Sequence, residues 1–304
     1  MLLGPYMPEL PEVETVRRGL APHLEQRTIK RVILRRPDLR FPFPDGLADR
    51  IEGKQVQRIE RRGKYLVFRI QDGIMLLNSL GMSGRWTLSG PDIAFTPGTF
   101  AHGASIGTGD GPHDHLVMEF EGGIQATYTD ARRFGYVHLI EPGCMDNDPF
   151  LRVLGPDPLD SRFDAKALAD RLRGRRSPMK SALLDQNTVA GLGNIYVSEI
   201  LHRAGVSPRR TAMTLVRKDG SPTERLERIV SETRVVLKQA IEAGGSTLQD
   251  FRGVTGDGEV GWFPVNFRVY GREGELCKSE KCSDTIRRIV QSNRSTFFCP
   301  SCQR

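Results

Sequence analysis

Four cysteines crowd into the last 28 residues of this chain, and they restrict its fold more than any other feature. Cys277 and Cys282 are separated by four residues, Cys299 and Cys302 by two, and sixteen residues lie between the pairs. Two such pairs, each on a tight turn, offer four thiolates in the tetrahedral arrangement that zinc prefers. A redox-active dithiol is the competing reading, but it needs one pair rather than two. With all four positions taken by sulfur the site leaves no opening for a substrate, so one structural Zn2+ is expected. The metal would hold the base of a hairpin formed by Ile286–Gln291 and Ser295–Phe298, with Asn293 and Arg294 at its tip. The fifth cysteine, Cys144, stands alone beside Pro142 and Gly143, a distribution unlike that of a disulfide framework.

A chain of 304 residues is long enough for two domains of ordinary size. Short apolar or alternating runs fill its first half: Ile29–Leu34, Val56–Ile59, Tyr65–Ile70, Ile74–Leu77, Leu116–Phe120 and Tyr136–Ile140. Gly, Pro and Asp clusters separate them, which predicts a β-sandwich behind an N-terminal helix. Pro91–Pro112, rich in Gly, Thr and Pro, reads as a long surface insertion between two strands. Glu141–Pro158 suits neither a helix nor a central strand and reads as an inter-domain linker. From Ala165 to Ala243 the apolar periodicity is helical, and a Gly-rich loop over Gly253–Gly261 precedes the cysteine module. The expected fold class is multidomain α+β: an N-terminal helix with a β-sandwich, a helical domain and a zinc-bound hairpin.

Lys and Arg total 44 against 37 Asp and Glu, a formal net charge of +7, which favours a polyanionic partner. No apolar run approaches the roughly 18 residues that span a bilayer, and Met1–Tyr6 is too short and uncharged for a signal peptide. A cytoplasmic protein without a membrane partner is expected.

Several stretches carry chemistry consistent with that partner. Gly191-Leu192-Gly193-Asn194 opens a helix, whose free amides form an anion site to which Asn194 can donate; a plain helix cap is the alternative. Arg61-Arg62-Gly63-Lys64-Tyr65 reads as the cationic start of a strand, or as solvated charge. Met82, between glycines, and Phe134, after Arg132 and Arg133, are either core residues or wedges able to fill the gap left by an extruded nucleotide. Arg294 on a metal-stiffened hairpin suits a phosphate.

Met7-Pro8-Glu9-Leu10-Pro11-Glu12-Val13-Glu14-Thr15-Val16 reads as a helix entry, with acids in the first turn and Val13, Val16 and Leu20 on one buried face. Its chemistry depends on what precedes Pro8. As a free terminus, Pro8 is a secondary amine with a pKa of about 7.7–8, able to attack a sugar aldehyde carbon and form an iminium. With Met1–Met7 attached, the same nitrogen is an unreactive tertiary amide.

Pro8–Gly19, together with the Arg62-Gly63-Lys64-Tyr65, Leu80-Gly81-Met82-Ser83-Gly84, Asp130–Gly135 and Gly191–Asn194 motifs and the terminal cysteines, resembles the formamidopyrimidine-DNA glycosylases over nearly the whole chain. The resemblance implies an N-terminal domain over 8–140 after an extension at 1–7. It further implies a linker at 141–160, a helix-two-turn-helix domain with a lesion-capping loop at 161–265, and a zinc finger at 266–304. It implies a monomeric enzyme that excises oxidised purines, 8-oxoguanine and formamidopyrimidines, from damaged double-stranded DNA and then nicks the abasic strand by β- and δ-elimination. Pro8 matches the nucleophile, Glu9 the acid that assists opening of the sugar, and Glu12 a second glutamate near the amine. Lys64 matches a lysine near the active-site phosphate. Arg294 matches a backbone-binding position counted with the catalytic set, and Lys180 and Asn194 match further backbone contacts. Met82, Arg132 and Phe134 resemble the trio that enters the duplex.

The chain departs from the family pattern in places. Four residues rather than two separate Cys277 from Cys282, Ala131 stands where proline is common, Ser79 where histidine often stands, and the Pro91–Pro112 segment is longer. Two other readings stay open: the sister group acting on oxidised pyrimidines, which usually has Gly where this chain has Leu10, and a damage-binding protein blocked at its amine.

Overall fold

The computed structural model describes residues 7–91, 93–95, 99–100, 110–245, 251–254, 260–261 and 267–304. The chain divides into two compact units. One holds the described residues through Arg152 together with Ala240–Val265, the other Val153–Gln239 and Asn266–Arg304.

The first unit opens with α1 (Leu10–Leu24), followed by β1 (Arg27–Leu34), the short α2 (Leu47–Ile51), β2 (Gln55–Arg62), β3 (Tyr65–Ile70) and β4 (Met75–Ser79). After these come β5 (Arg85–Gly90), β6 (Ile93–Phe95), β7 (Thr99–Phe100), β8 (Asp114–Phe120), β9 (Gln125–Thr129) and β10 (Tyr136–Ile140). Nine of the strands join in the order β10-β4-β3-β2-β1-β8-β9-β5-β6. β1 is the hinge of this ladder: Arg27 and Thr28 pair with β2, whereas Ile29 to Leu34 pair with β8. In a flat sheet β3 and β5, five steps apart, would be separated by about 24 Å. The rings of Phe68 on β3 and Trp86 on β5 instead lie 5.6 Å apart, so the ladder folds over on itself and the expected sandwich results. Leu66, Phe68, Leu76, Trp86, Leu88, Leu116, Met118 and Tyr128 fill the space between its halves, and α1 adds the fully buried Val13, Val16 and Leu20.

Local pattern misassigned some of this unit. β5 and β9 were not among the expected strands because polar residues alternate with their core-facing ones: Thr87 and Thr127 sit opposite each other on the face away from Trp86, Leu88, Ala126 and Tyr128, and are fully buried there. Arg61 and Arg62 end β2 rather than begin β3; Gly63, at φ 57°, and Lys64 make the turn between them. Within Pro91–Pro112, expected as a long surface insertion between two strands, β6 extends the sheet from β5, while residues 92, 96–98 and 101–109 lie outside the described set.

The second unit contains α3 (Ala165–Leu172), α4 (Met179–Leu184), α5 (Asn194–Arg203) and most of α6 (Glu224–Glu242). Of the Gly253–Gly261 loop, β11 (Phe251–Val254) and β12 (Val260–Gly261) are an antiparallel pair belonging to the first unit, and residues 255–259 lie outside the described set. β13 (Arg287–Gln291) and β14 (Arg294–Phe298) make the terminal hairpin. Its tip is Ser292-Asn293, both left-handed at φ 49° and 56°, the backbone of a two-residue primed turn. Arg294 is therefore the first residue of β14, paired with Gln291, one step from the tip where spacing alone had put it.

Candidate functional site

The N-terminal half of α1 is enclosed on all sides, which is why it buries charge. Pro8 is buried just ahead of the helix, Glu9 is the N-cap at 3 % exposure and Glu12 follows at 0 %. The Glu9 backbone N–H donates to Glu12 Oε2 at 2.9 Å, one half of a reciprocal capping box that satisfies amides otherwise orphaned at a helix start. One turn on, the Glu14 carboxylate accepts from Arg17 at 2.8 Å and Arg18 at 3.0 Å, and Arg61 of β2 stands 3.4 Å away. Burial alone would raise the Glu14 pKa, but the three guanidiniums outweigh it and hold the carboxyl below its ordinary range. The Arg61–Glu14 pair ties the β2–β3 hairpin to α1, with Lys64 three residues on from Arg61 in the turn. The alternative states of the Pro8 nitrogen depend on Met1–Tyr6, which lie outside the described residues.

A second cluster forms where two loops of the sandwich meet. Met82 lies in the Gly81–Gly84 turn between β4 and β5, half-buried, and Arg132 and Phe134 lie exposed between β9 and β10. The Arg132 guanidinium caps the Phe134 ring at 5.0 Å, and Phe134 remains 45 % exposed, a large apolar side chain offered to the outside. The loops touch through backbone: a Cβ on Gly81 would lie 2.3 Å from the Gly135 nitrogen, so only glycine fits there. The expected trio is thus assembled on adjoining loops from positions 50 residues apart in sequence.

The third cluster is the zinc module. All four cysteine Sγ atoms lie within 4.8 Å of one another, with Cys277–Cys302 at 3.8 Å and Cys282–Cys299 at 3.6 Å. A tetrahedron with Zn–S bonds of about 2.3 Å has edges near 3.8 Å, so the four sulfurs fit one zinc ion despite the longer first turn. Burial, with neighbouring thiols, pushes the metal-free Cys299 thiol up to about 12. His202 of α5 sets Nε2 3.4 Å from Cys277 Sγ.

Helices α4 and α5 carry the hairpin. Lys180 is fully buried, its ammonium donating to the Ser295 carbonyl at 2.8 Å and to Thr296 Oγ1 at 2.7 Å. Asn194 Nδ2 donates to the same carbonyl at 3.1 Å. Both residues, read from sequence as phosphate contacts, here hold β14, and Arg294 is exposed at its start. The Glu199 carboxylate takes the backbone amides of Arg268, Val269 and Tyr270 at 2.8, 3.0 and 2.9 Å, fastening α5 to the segment that enters the zinc module. Sequence reading missed Glu199 and His202, whose only signal was polarity on an otherwise apolar helix face.

Residues 7–137 match the formamidopyrimidine-DNA glycosylase N-terminal domain, 154–252 its H2TH domain and 274–304 the zinc finger found in FPG and IleRS. The chain belongs to the formamidopyrimidine-DNA glycosylase family. It is 50 % identical over 298 residues to the formamidopyrimidine-DNA glycosylase of Azorhizobium caulinodans, and 51 % identical over 298 residues to that of Cereibacter sphaeroides; each alignment covers 98 % of this chain and 100 % of the relative. Among solved structures it resembles Lactococcus lactis Fpg in complex with abasic-site DNA, with a TM-score of 0.79 and 33 % identity over 97 % of this chain and 99 % of that one. It also resembles MutM in complex with carbocyclic 8-oxo-G DNA, with a TM-score of 0.79 and 34 % identity over 98 % of this chain and 100 % of that one. As in the family, a helix and β-sandwich come first, the helical domain second and the zinc hairpin last.

Proposed function

We infer that this chain is a bifunctional DNA glycosylase and abasic-site lyase of base-excision repair, acting on oxidised purines in duplex DNA. Similarity along 98 % of the chain to relatives named formamidopyrimidine-DNA glycosylase carries this reading. Solved relatives bound to 8-oxo-G and abasic-site DNA give the substrate class.

The reaction proposed begins with DNA bound through phosphates by Arg294 and Lys64, as a monomer. A stacked base is unreachable, so the lesion must leave the helix, and Met82, Arg132 and Phe134 occupy the space it vacates. The Pro8 nitrogen, as a free amine, attacks the sugar carbon while Glu9 protonates the ring oxygen. The base departs, and the iminium left on Pro8 acidifies the neighbouring sugar position, so that elimination breaks the strand. Glu12 holds the Glu9 backbone in register with the amine. Lys180 and Asn194 support the phosphate contact by setting the position of β14. Zinc supplies rigidity to the hairpin and takes no part in the reaction steps. We assign these roles within a catalytic domain at 8–140, a helix-two-turn-helix domain at 161–265 and the zinc finger at 266–304.

Borohydride reduction in the presence of abasic DNA tests the scheme. A preparation whose chain begins at Pro8 is expected to give a covalent adduct, one retaining Met1–Met7 none. An adduct of undiminished yield from the longer form would remove Pro8 as the nucleophile. A panel of duplexes with oxidised purines and pyrimidines tests the lesion class.

A further inference from the structure

Asp130 is fully buried, between the two loops that carry Met82 and Phe134. One carboxylate oxygen accepts the Ser83 hydroxyl from the Gly81–Gly84 turn, and the other accepts the Gly135 backbone N–H at 2.8 Å. The Ser83 oxygen in turn accepts the Arg132 backbone N–H at 3.0 Å, closing a ring of hydrogen bonds from one loop to the other and back. The carbonyl of Asp130 is held as well, by Arg133 N–H at 3.2 Å and by His115 Nε2 at 2.8 Å. Arg133 keeps a left-handed φ of 57°, a conformation that a non-glycine residue holds when its surroundings impose it.

We propose that Asp130 and Ser83 are positioning residues that lock the Gly81–Gly84 turn and the Ala131–Gly135 loop into one rigid wedge, so that Met82, Arg132 and Phe134 enter a duplex together. The proposal rests on the reading of those three as duplex-entering residues. An extruded nucleotide leaves one gap, and filling it needs the apolar side chains and the arginine present at the same moment. Two independent loops would each have to be ordered during insertion, whereas a preformed unit bears that cost in folding. A buried carboxylate bound by a hydroxyl on one loop and an amide on the other is suited to this, because its charge-assisted bonds are stronger than neutral ones.

The test is stopped-flow fluorescence of 2-aminopurine placed beside the lesion, with Ser83→Ala, Ser83→Thr, Asp130→Asn, Arg132→Ala and Phe134→Ala in the active protein. Borohydride trapping on a single-stranded abasic oligonucleotide, which needs no extrusion, is run in parallel. Ser83→Ala is expected to slow extrusion by about tenfold, the effect of losing one such hydrogen bond, with trapping changed by less than about twofold. Ser83→Thr, which keeps the hydroxyl, should restore most of the rate, and Asp130→Asn should slow extrusion at least as much as Ser83→Ala. If Ser83→Ala and Asp130→Asn extrude at the parent rate while Phe134→Ala is slow, the clamp is overturned and the wedge reading stands. If Phe134→Ala and Arg132→Ala also extrude at the parent rate, the wedge reading fails and takes the proposal with it. Equal loss of trapping and extrusion in Ser83→Ala would overturn it too, by marking the clamp as general scaffolding.

Discussion

The Glu9 amide and the Glu12 carboxylate, 2.9 Å apart, fix the course of the backbone immediately after Pro8. Glu12 is completely shielded from water, so that amide depends on its carboxylate as acceptor in the folded chain. Removing it leaves a buried donor unpaired, at a cost of roughly 1–3 kcal/mol. Glu12→Ala should therefore lower the melting temperature and reduce borohydride trapping by at least about tenfold. Glu12→Gln, which keeps an acceptor oxygen, should lose less of both; equal losses in the two variants would show that the negative charge matters more than the hydrogen bond.

Glu14 gives a pH dependence of known sign. Its carboxyl lies below the ordinary glutamate value of 4.5 because Arg17, Arg18 and Arg61 outweigh the effect of burial. A depressed folded pKa contributes stability that is present above the unfolded value and lost as pH falls through the folded one. Urea unfolding from pH 6 down to pH 3 should show the parent losing more stability than Glu14→Gln across the acid end of that range. At pH 7 the variant should be less stable by about 1–3 kcal/mol, since three guanidiniums lose their shared partner.

The hairpin separates direct from indirect contributions to DNA binding. Each phosphate contact adds about 0.9 to the slope of log K against log salt. Arg294→Ala should reduce that slope by about one. Lys180→Met should weaken binding without changing the slope, because the buried ammonium donates to the Ser295 carbonyl and Thr296 Oγ1 and so sets β14 in place. A slope reduced equally in both variants would return Lys180 to the phosphate contacts.

Zinc should be released as pH falls, because thiolate ligands are then protonated. A chromophoric chelator would follow the release. His202→Phe, which removes one partner of Cys277 Sγ, should weaken zinc retention by roughly tenfold or more, the usual effect of losing a hydrogen bond to a metal ligand. Retention unchanged in that variant would leave His202 as packing alone.

Whatever depended on neighbours in sequence could be read from sequence. The spacing of Cys277, Cys282, Cys299 and Cys302 implied a zinc site because two short turns bring each pair of sulfurs together. Tyr65–Ile70 was read with the bounds it has as a strand, and Val13, Val16 and Leu20 share a face because a helical turn is 3.6 residues. Tertiary structure decided what joins distant positions. The buried Thr87 and Thr127 form a pair only because β5 and β9 are adjacent, and β1 changes partners between Thr28 and Ile29 to fold the ladder over. Ser83 meets Asp130 across 47 residues, and Lys180 meets Ser295 across 115. A lysine or aspartate has the same local signature whether it faces solvent or is enclosed. Its partners are set by chain topology, which no short stretch of residues encodes alone.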